Sequence, residues 1–156
     1  MRIFSGKKIS EDILENVSEE INKRKISPTL AIIQVGNNPE SEIYVRNKKK
    51  AASRIGIRVF SYKFREDVKQ EEIIDRVREL NEDILIDGII VQLPLPYQLS
   101  TDKIVASVDP KKDVDGFHEI NRKLLKNDNA YFSPVLPMAV LIPLRVILEE
   151  SERALR

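Results

Sequence analysis

The strongest constraint on this chain is the alternation of strand-like and helix-like segments between residues 29 and 96. "TLAIIQVG" is a short β-rich run ended by glycine, and Asn38-Pro39 opens the next helix, which stops near Gly56. "IRVFSYKF" alternates like a strand. Ile73, Ile74, Val77 and Leu80 recur at helical spacing, and "DGIIVQLPLP" reads as a buried strand ending in prolines. Strands that alternate with helices form βαβ units, because parallel strands need a crossover and the crossover helix covers the sheet. The expected fold is therefore α/β, a three-layer αβα domain with a mainly parallel sheet containing 29–36, 57–64 and 87–92.

Flanking segments read less sharply. Ile9, Ile13, Leu14, Val17 and Ile21 recur at helical spacing, with Ser10 as the expected N-cap. A short helix is expected near 100–107, then a loop, "VDPKKDVDGFH". A final helix is expected within 138–155, kinked or restarted by Pro143, which lacks a backbone donor.

Composition removes several function classes. The 26 Lys and Arg nearly cancel the 25 Asp and Glu, so no basic excess points to nucleic acid. No cysteine is present, which removes disulfides and thiolate metal sites. The most apolar run, 134–148, is shorter than the roughly 20 residues a membrane span needs. The expectation is a soluble, cytoplasmic protein with no membrane or nucleic-acid partner.

In open parallel sheets ligands bind beyond the carboxyl ends of the strands, here at "VGNNPESEIY" and "VQLPLP". On a helix of about 100° per residue, Tyr44, Lys48, Ala51 and Ile55 share a stripe, flanked by Ser41 and Ala52. Arg46, Lys49, Lys50 and Arg54 point elsewhere. A lysine on such a stripe has two readings: its stem packs while the ammonium reaches water, or it is a partly desolvated amine usable in acid–base chemistry. Geometry alone leaves both open. Gln92 alone reads as a strand-end hydrogen-bonder. "DVDG" at 113–116 reads alone as a turn with solvated aspartates. An EF-hand would need a glutamate where Leu124 stands, and His118 is the only histidine, so no metal site is expected.

Four segments, "VGNNPESEIYVRNKKKAASRIGI", "DGIIVQLPLP", "PKKDVDGFHEIN" and "FSPVLP", occur in this order. Together they resemble the N-terminal catalytic domain of the bifunctional methylenetetrahydrofolate dehydrogenase/methenyltetrahydrofolate cyclohydrolase family, from about residue 1 to about 137. The resemblance implies interconversion of 5,10-methylene-, 5,10-methenyl- and 10-formyl-tetrahydrofolate. It places the main catalytic group on Lys48, a folate-orienting ring on Tyr44 and a lysine-tuning amide on Gln92. It places a pterin-binding carboxylate on Asp115, and Ser41 at the family's serine before the tyrosine. It implies NADP or NAD as cofactor, a folate substrate, and a homodimer or association with a full-length relative.

The match has limits. No glycine-rich phosphate loop follows a strand, so the Rossmann domain and its nucleotide site are expected to be absent from this chain. "FSPVLP" carries Val135 and Leu136 where the family has Cys and Thr, and 138–156 reads as a helical segment departing from the family. Dehydrogenase activity by this chain alone is not expected. The alternative is a non-catalytic folate-binding or subunit-interaction module derived from that enzyme.

Overall fold

A computed structural model describes residues 5–126, 129–135, 138, 139, 141, 142 and 145. Helix α1 spans Gly6–Arg24, strand β1 Thr29–Val35, α2 Pro39–Arg54, β2 Arg58–Phe64, α3 Gln70–Glu82 and β3 Gly88–Val91. Two short helices follow, α4 Thr101–Ala106 and α5 Glu119–Leu125. The final helix expected within 138–155 falls largely outside the described residues, as does Pro143.

The three strands form one parallel sheet in the order β2-β1-β3. β1 is central, and its run of apolar residues is buried on both faces, as crossover helices require. Ala31, Ile33 and Val35 join Ile89 and Val91 beneath Ile73, Val77 and Leu80 of α3 and Ile104 of α4. On the opposite face Ile32 and Ile90 pack against Val45 of α2, with Val114 beside them. Ile32, Ile33, Ile73, Ile89 and Ile104 are almost completely buried, each worth about 1.5–3 kcal/mol. Helices on both faces give the three layers.

Local signals explain the element ends. Asn38 caps α2 through Oδ1, which accepts from Ser41 N at 2.9 Å, and Pro39 starts the helix where its missing N–H costs nothing. The α1 cap differs from expectation: Ser5, not Ser10, accepts from Lys8 N, because an exposed polar turn precedes the first apolar residue. The end of α3 carries no basic residue of its own. Lys112 supplies one from the loop, donating Nζ to the carbonyls of Leu80, Asn81 and Asp83 at 2.7–3.0 Å. A distant residue thus satisfies carbonyls left over at the helix terminus.

α5 follows the expected loop "VDPKKDVDGFH" and is an element that the sequence does not announce. His118 caps it, with Nδ1 accepting from Ile120 N at 3.0 Å. The other ring nitrogen lies 3.3 Å from Ala106 O and donates to it, which fixes the tautomer. His118 is therefore structural.

Candidate active site

The buried stripe of α2 is Ser41, Val45 and Ala52, running on to Ile55. It is rotated from the expected stripe. Lys48 still lies on it, about 20° from Ser41 around the helix axis. Tyr44 lies at its outer edge and is 60% exposed, so its ring is not packed in the core. Val45 reaches the sheet and takes the central place that the periodicity gave to Tyr44.

Asp115 arrives from the far end of the chain. Ile89 N donates to Lys112 O, and Ile89 and Asp113 form an isolated parallel bridge along the outer side of β3. Val114 then packs into the α2 layer, and Asp115 follows it. The Asp115 carboxylate comes 3.7 Å from Lys48 Nζ, with the side chains 14% and 34% exposed. That separation is a charge contact, longer than a hydrogen bond. Burial pushes the Asp115 carboxyl above its ordinary range; the Asp113 charge adds to this and Lys48 opposes it.

The turn is not solvated, contrary to the reading of "DVDG" alone. Asp113 is 4% exposed and accepts from Phe117 N, His118 N and Asn121 Nδ2 at 2.8–3.2 Å. Asn121, fully buried, also donates to Pro110 O and accepts from Tyr131 N. Among the described residues no cluster of His, Cys, Asp and Glu could hold a metal ion.

Gln92 follows β3 directly. Its N donates to Ile33 O, its Nε2 donates to Leu93 O at 2.6 Å, and its Oε1 is buried with no protein partner. Ser41 Oγ is likewise buried and unpartnered. Buried polar atoms of this kind are uncommon and mark places where something else completes the bonding. The structure thus brings Lys48 and Asp115 into contact, puts Ser41 on the same helix stripe and sets Gln92 at the strand end. The cleft at the strand tips, about 310 Å³, is lined instead by Gly36, Asn37, Asn38, Glu66 and Pro94–Pro96. The Lys48–Asp115 pair sits beside β3 on the flank of α2.

Comparison with known proteins gives this arrangement a family. Residues 4–115 match the tetrahydrofolate dehydrogenase/cyclohydrolase catalytic domain. The chain belongs to this family. It is 42% identical over 143 residues to the bifunctional protein FolD of Acetivibrio thermocellus, covering 90% of this chain and 50% of that protein. The FolD of Aquifex aeolicus is 40% identical over 148 residues, covering 92% and 51%. Among solved structures, the FolD of Campylobacter jejuni superposes with a TM-score of 0.86 at 38% identity, covering 91% of this chain and 52% of that one. The Trypanosoma brucei FolD, solved with NADP cofactor and an inhibitor, gives 0.87 at 31%, covering 93% and 51%. The chain spans about half the length of the relatives it matches.

The turn from β1 into α2 is not built as a dinucleotide phosphate cradle. A phosphate cradle needs free N–H groups at a glycine-rich strand–helix turn. After β1, the first turn of α2 is closed by the Asn38 side chain on Ser41 N, and Pro39 contributes no donor. No helix among the described residues is long and apolar enough to cross a membrane.

Proposed function

We propose that this chain supplies the folate-side residues of a methylenetetrahydrofolate dehydrogenase/methenyltetrahydrofolate cyclohydrolase, with residues 1–137 as the catalytic domain. The observation that carries the reading is the Lys48–Asp115 pair: an amine and a mostly buried carboxylate 3.7 Å apart, brought together from distant parts of a chain that belongs to this family.

The chemistry follows from the two groups. A carboxylate facing an amino-pyrimidinone edge accepts two parallel N–H bonds, so Asp115 anchors the pterin. Lys48 opposes the upward push of burial on Asp115. The methenyl bridge is an iminium-like cation attacked by water. In its neutral form the amine of Lys48 accepts the proton that the attacking water releases. Tyr44, exposed one turn before Lys48, lies along the folate and orients it. Gln92 directs the amine, and Ser41 contributes its unpartnered hydroxyl. NADP, where the whole enzyme holds it, takes the hydride of the dehydrogenase step. We place that nucleotide outside the residues described here, and the protein in the cytoplasm, as a homodimer or beside a full-length relative.

The test is the decay of methenyltetrahydrofolate absorbance in the presence of this chain and of its Lys48→Met variant, corrected for spontaneous hydrolysis. Methionine keeps much of the volume and removes the amine. Hydrolysis above background by the parent and none by the variant is expected. Equal rates above background in both would remove Lys48 from the chemistry.

A further inference from the structure

The flank of α2 turned away from Asp115 carries a second polar cluster. Between α2 and the edge strand β2 lies a cleft of about 310 Å³, lined by Gln34, Glu42, Arg46, Lys49, Lys50 and Lys63 among others. Four cationic side chains there face one carboxylate, in a chain whose net charge is only +1. Lys48 and Lys49 diverge by about 100° around the helix, so the two flanks are separate surfaces.

Gln34 marks this cleft as more than a solvated basic face. It interrupts the apolar run of the central strand, is 3% exposed, and stands in register with Lys63 on β2. Its Nε2 is buried and makes no hydrogen bond within 3.5 Å, although it lies close enough to Glu42 to favour the charge of that carboxylate. Glu42, bonded to Lys63, shows what the cleft accepts. The Glu42 carboxyl is held below its ordinary range, chiefly by Lys63 and in smaller part by the Gln34 amide and Lys49, against some desolvation. A carboxylate at this point is therefore stabilised by the surroundings. Arg46, Lys49 and Lys50 have no carboxylate within 4.0 Å among the described residues, so cationic capacity remains after Glu42 is paired.

We infer that the α2–β2 cleft is a binding site for a small, multiply charged anion bearing phosphate or carboxylate groups. Lys63 and the Gln34 amide hold one anionic group where Glu42 now sits or beside it, and Arg46, Lys49 and Lys50 hold the next. Lys49 also lines the adjoining groove that runs past Ser53 to Arg58 and Phe60, which gives a longer anion room to extend. The site is distinct from the Lys48–Asp115 pair and does not depend on the function proposed for it.

The test is a titration of the full chain with tripolyphosphate and, separately, citrate at constant ionic strength, followed by ¹H–¹⁵N correlation spectra including side-chain amides. The two arms distinguish a phosphate site from a carboxylate site, and saturation by either supports the inference. Shifts are expected at the Gln34 amide, residues 46–50 and 61–63. The double variant R46E/K49E, both changes on an exposed helix flank, is expected to weaken binding by at least about tenfold. Lys103→Glu on α4 carries a charge change remote from the cleft and is expected to alter binding less than about twofold. Gln34→Leu removes the donor and weakens binding even where the charges are intact. No saturable binding below ~10 mM would overturn the inference. So would equal weakening by K103E and R46E/K49E, or shifts centred on Lys48 and Asp115.

Discussion

Gly116 offers a sharp test of how Asp115 is held. It has φ +67°. A Cβ built there would lie 2.7 Å from Pro134 N, 2.8 Å from Ser133 C and 3.0 Å from Pro134 Cα. All three are main-chain atoms, so no rotamer change relieves the overlap. Gly36 is the matched control: φ is +73°, but its Cβ would meet only Glu66, two side-chain carbons at 3.7 Å and Cα at 4.0 Å, all ordinary contacts. Both substitutions to alanine carry the left-handed backbone cost of about 1–2 kcal/mol. Both also restrict the unfolded chain in the same way, worth about 0.4–1 kcal/mol in the opposite direction, so that effect cancels between them. Gly116→Ala adds an overpacking cost of about 1–3 kcal/mol, because the 133–134 backbone must retreat. Urea unfolding with a common m-value should therefore place Gly116→Ala about 1–3 kcal/mol below Gly36→Ala. Equal losses would mean that the segment at 133–134 yields freely, and that the 113–118 turn is not clamped from that side.

Other consequences follow from the same region. Since burial raises the Asp115 carboxyl above its ordinary range, the folded state binds that proton more tightly than the unfolded state does. Stability then falls as pH rises from the ordinary carboxylate value through the raised one, and stays lower above it. Asp115→Asn lacks this titration, so its melting temperature relative to the parent should climb from near parity at acid pH to a plateau at neutral pH; a fall over that range would contradict the sign. Lys112→Met keeps the stem and removes three donations to the end of α3. It should cost about 2 kcal/mol in urea unfolding, and a loss under about 0.5 kcal/mol would show those bonds replaced by water without penalty.

The parts of the fold legible in the sequence are those where one local signal dominates. β1 and β3 carry near-continuous apolar runs because both their faces are covered, and α2 announces itself by Asn38-Pro39. α5 was not legible: it is short, and its cap is a histidine ring rather than one of the usual small polar side chains. The stripe of α2 was rotated because periodicity weighs Tyr44 as apolar, whereas packing chose Val45, whose side chain fits between Ile32 and Ile90. Helical spacing singles out Lys48, but its catalytic role and the place of Asp115 come only from the family resemblance, since nothing local tells a chain that residues so far apart will meet. Asp113 was misjudged for a related reason. A carboxylate in a turn is usually wet, and only the fold reveals the three donors gathered around it. The signal for Gln34 was present, a lone amide inside an apolar strand, and its meaning depended on what α2 and β2 set opposite it.

The loop that carries Asp115 is anchored through groups other than Asp115 itself. Lys112 ties it to α3, its carbonyl takes the Ile89 N–H of β3, Asp113 closes the turn onto α5, and Val114 is seated against the α2 layer. On the other side, Lys48 is carried by a helix whose place is set by Val45 on the sheet. The distance between amine and carboxylate is thus fixed by packing on both sides and owes little to their attraction. This explains why the pair rests at 3.7 Å without closing to a hydrogen bond. It also has a chemical consequence. Two groups held apart by their scaffolds keep their bonding directions for a third, and the ordering entropy is met during folding and not at the moment of binding. Under the function we propose, a substrate edge that approaches Asp115 meets an acceptor already oriented, beside an amine whose position is likewise set by packing.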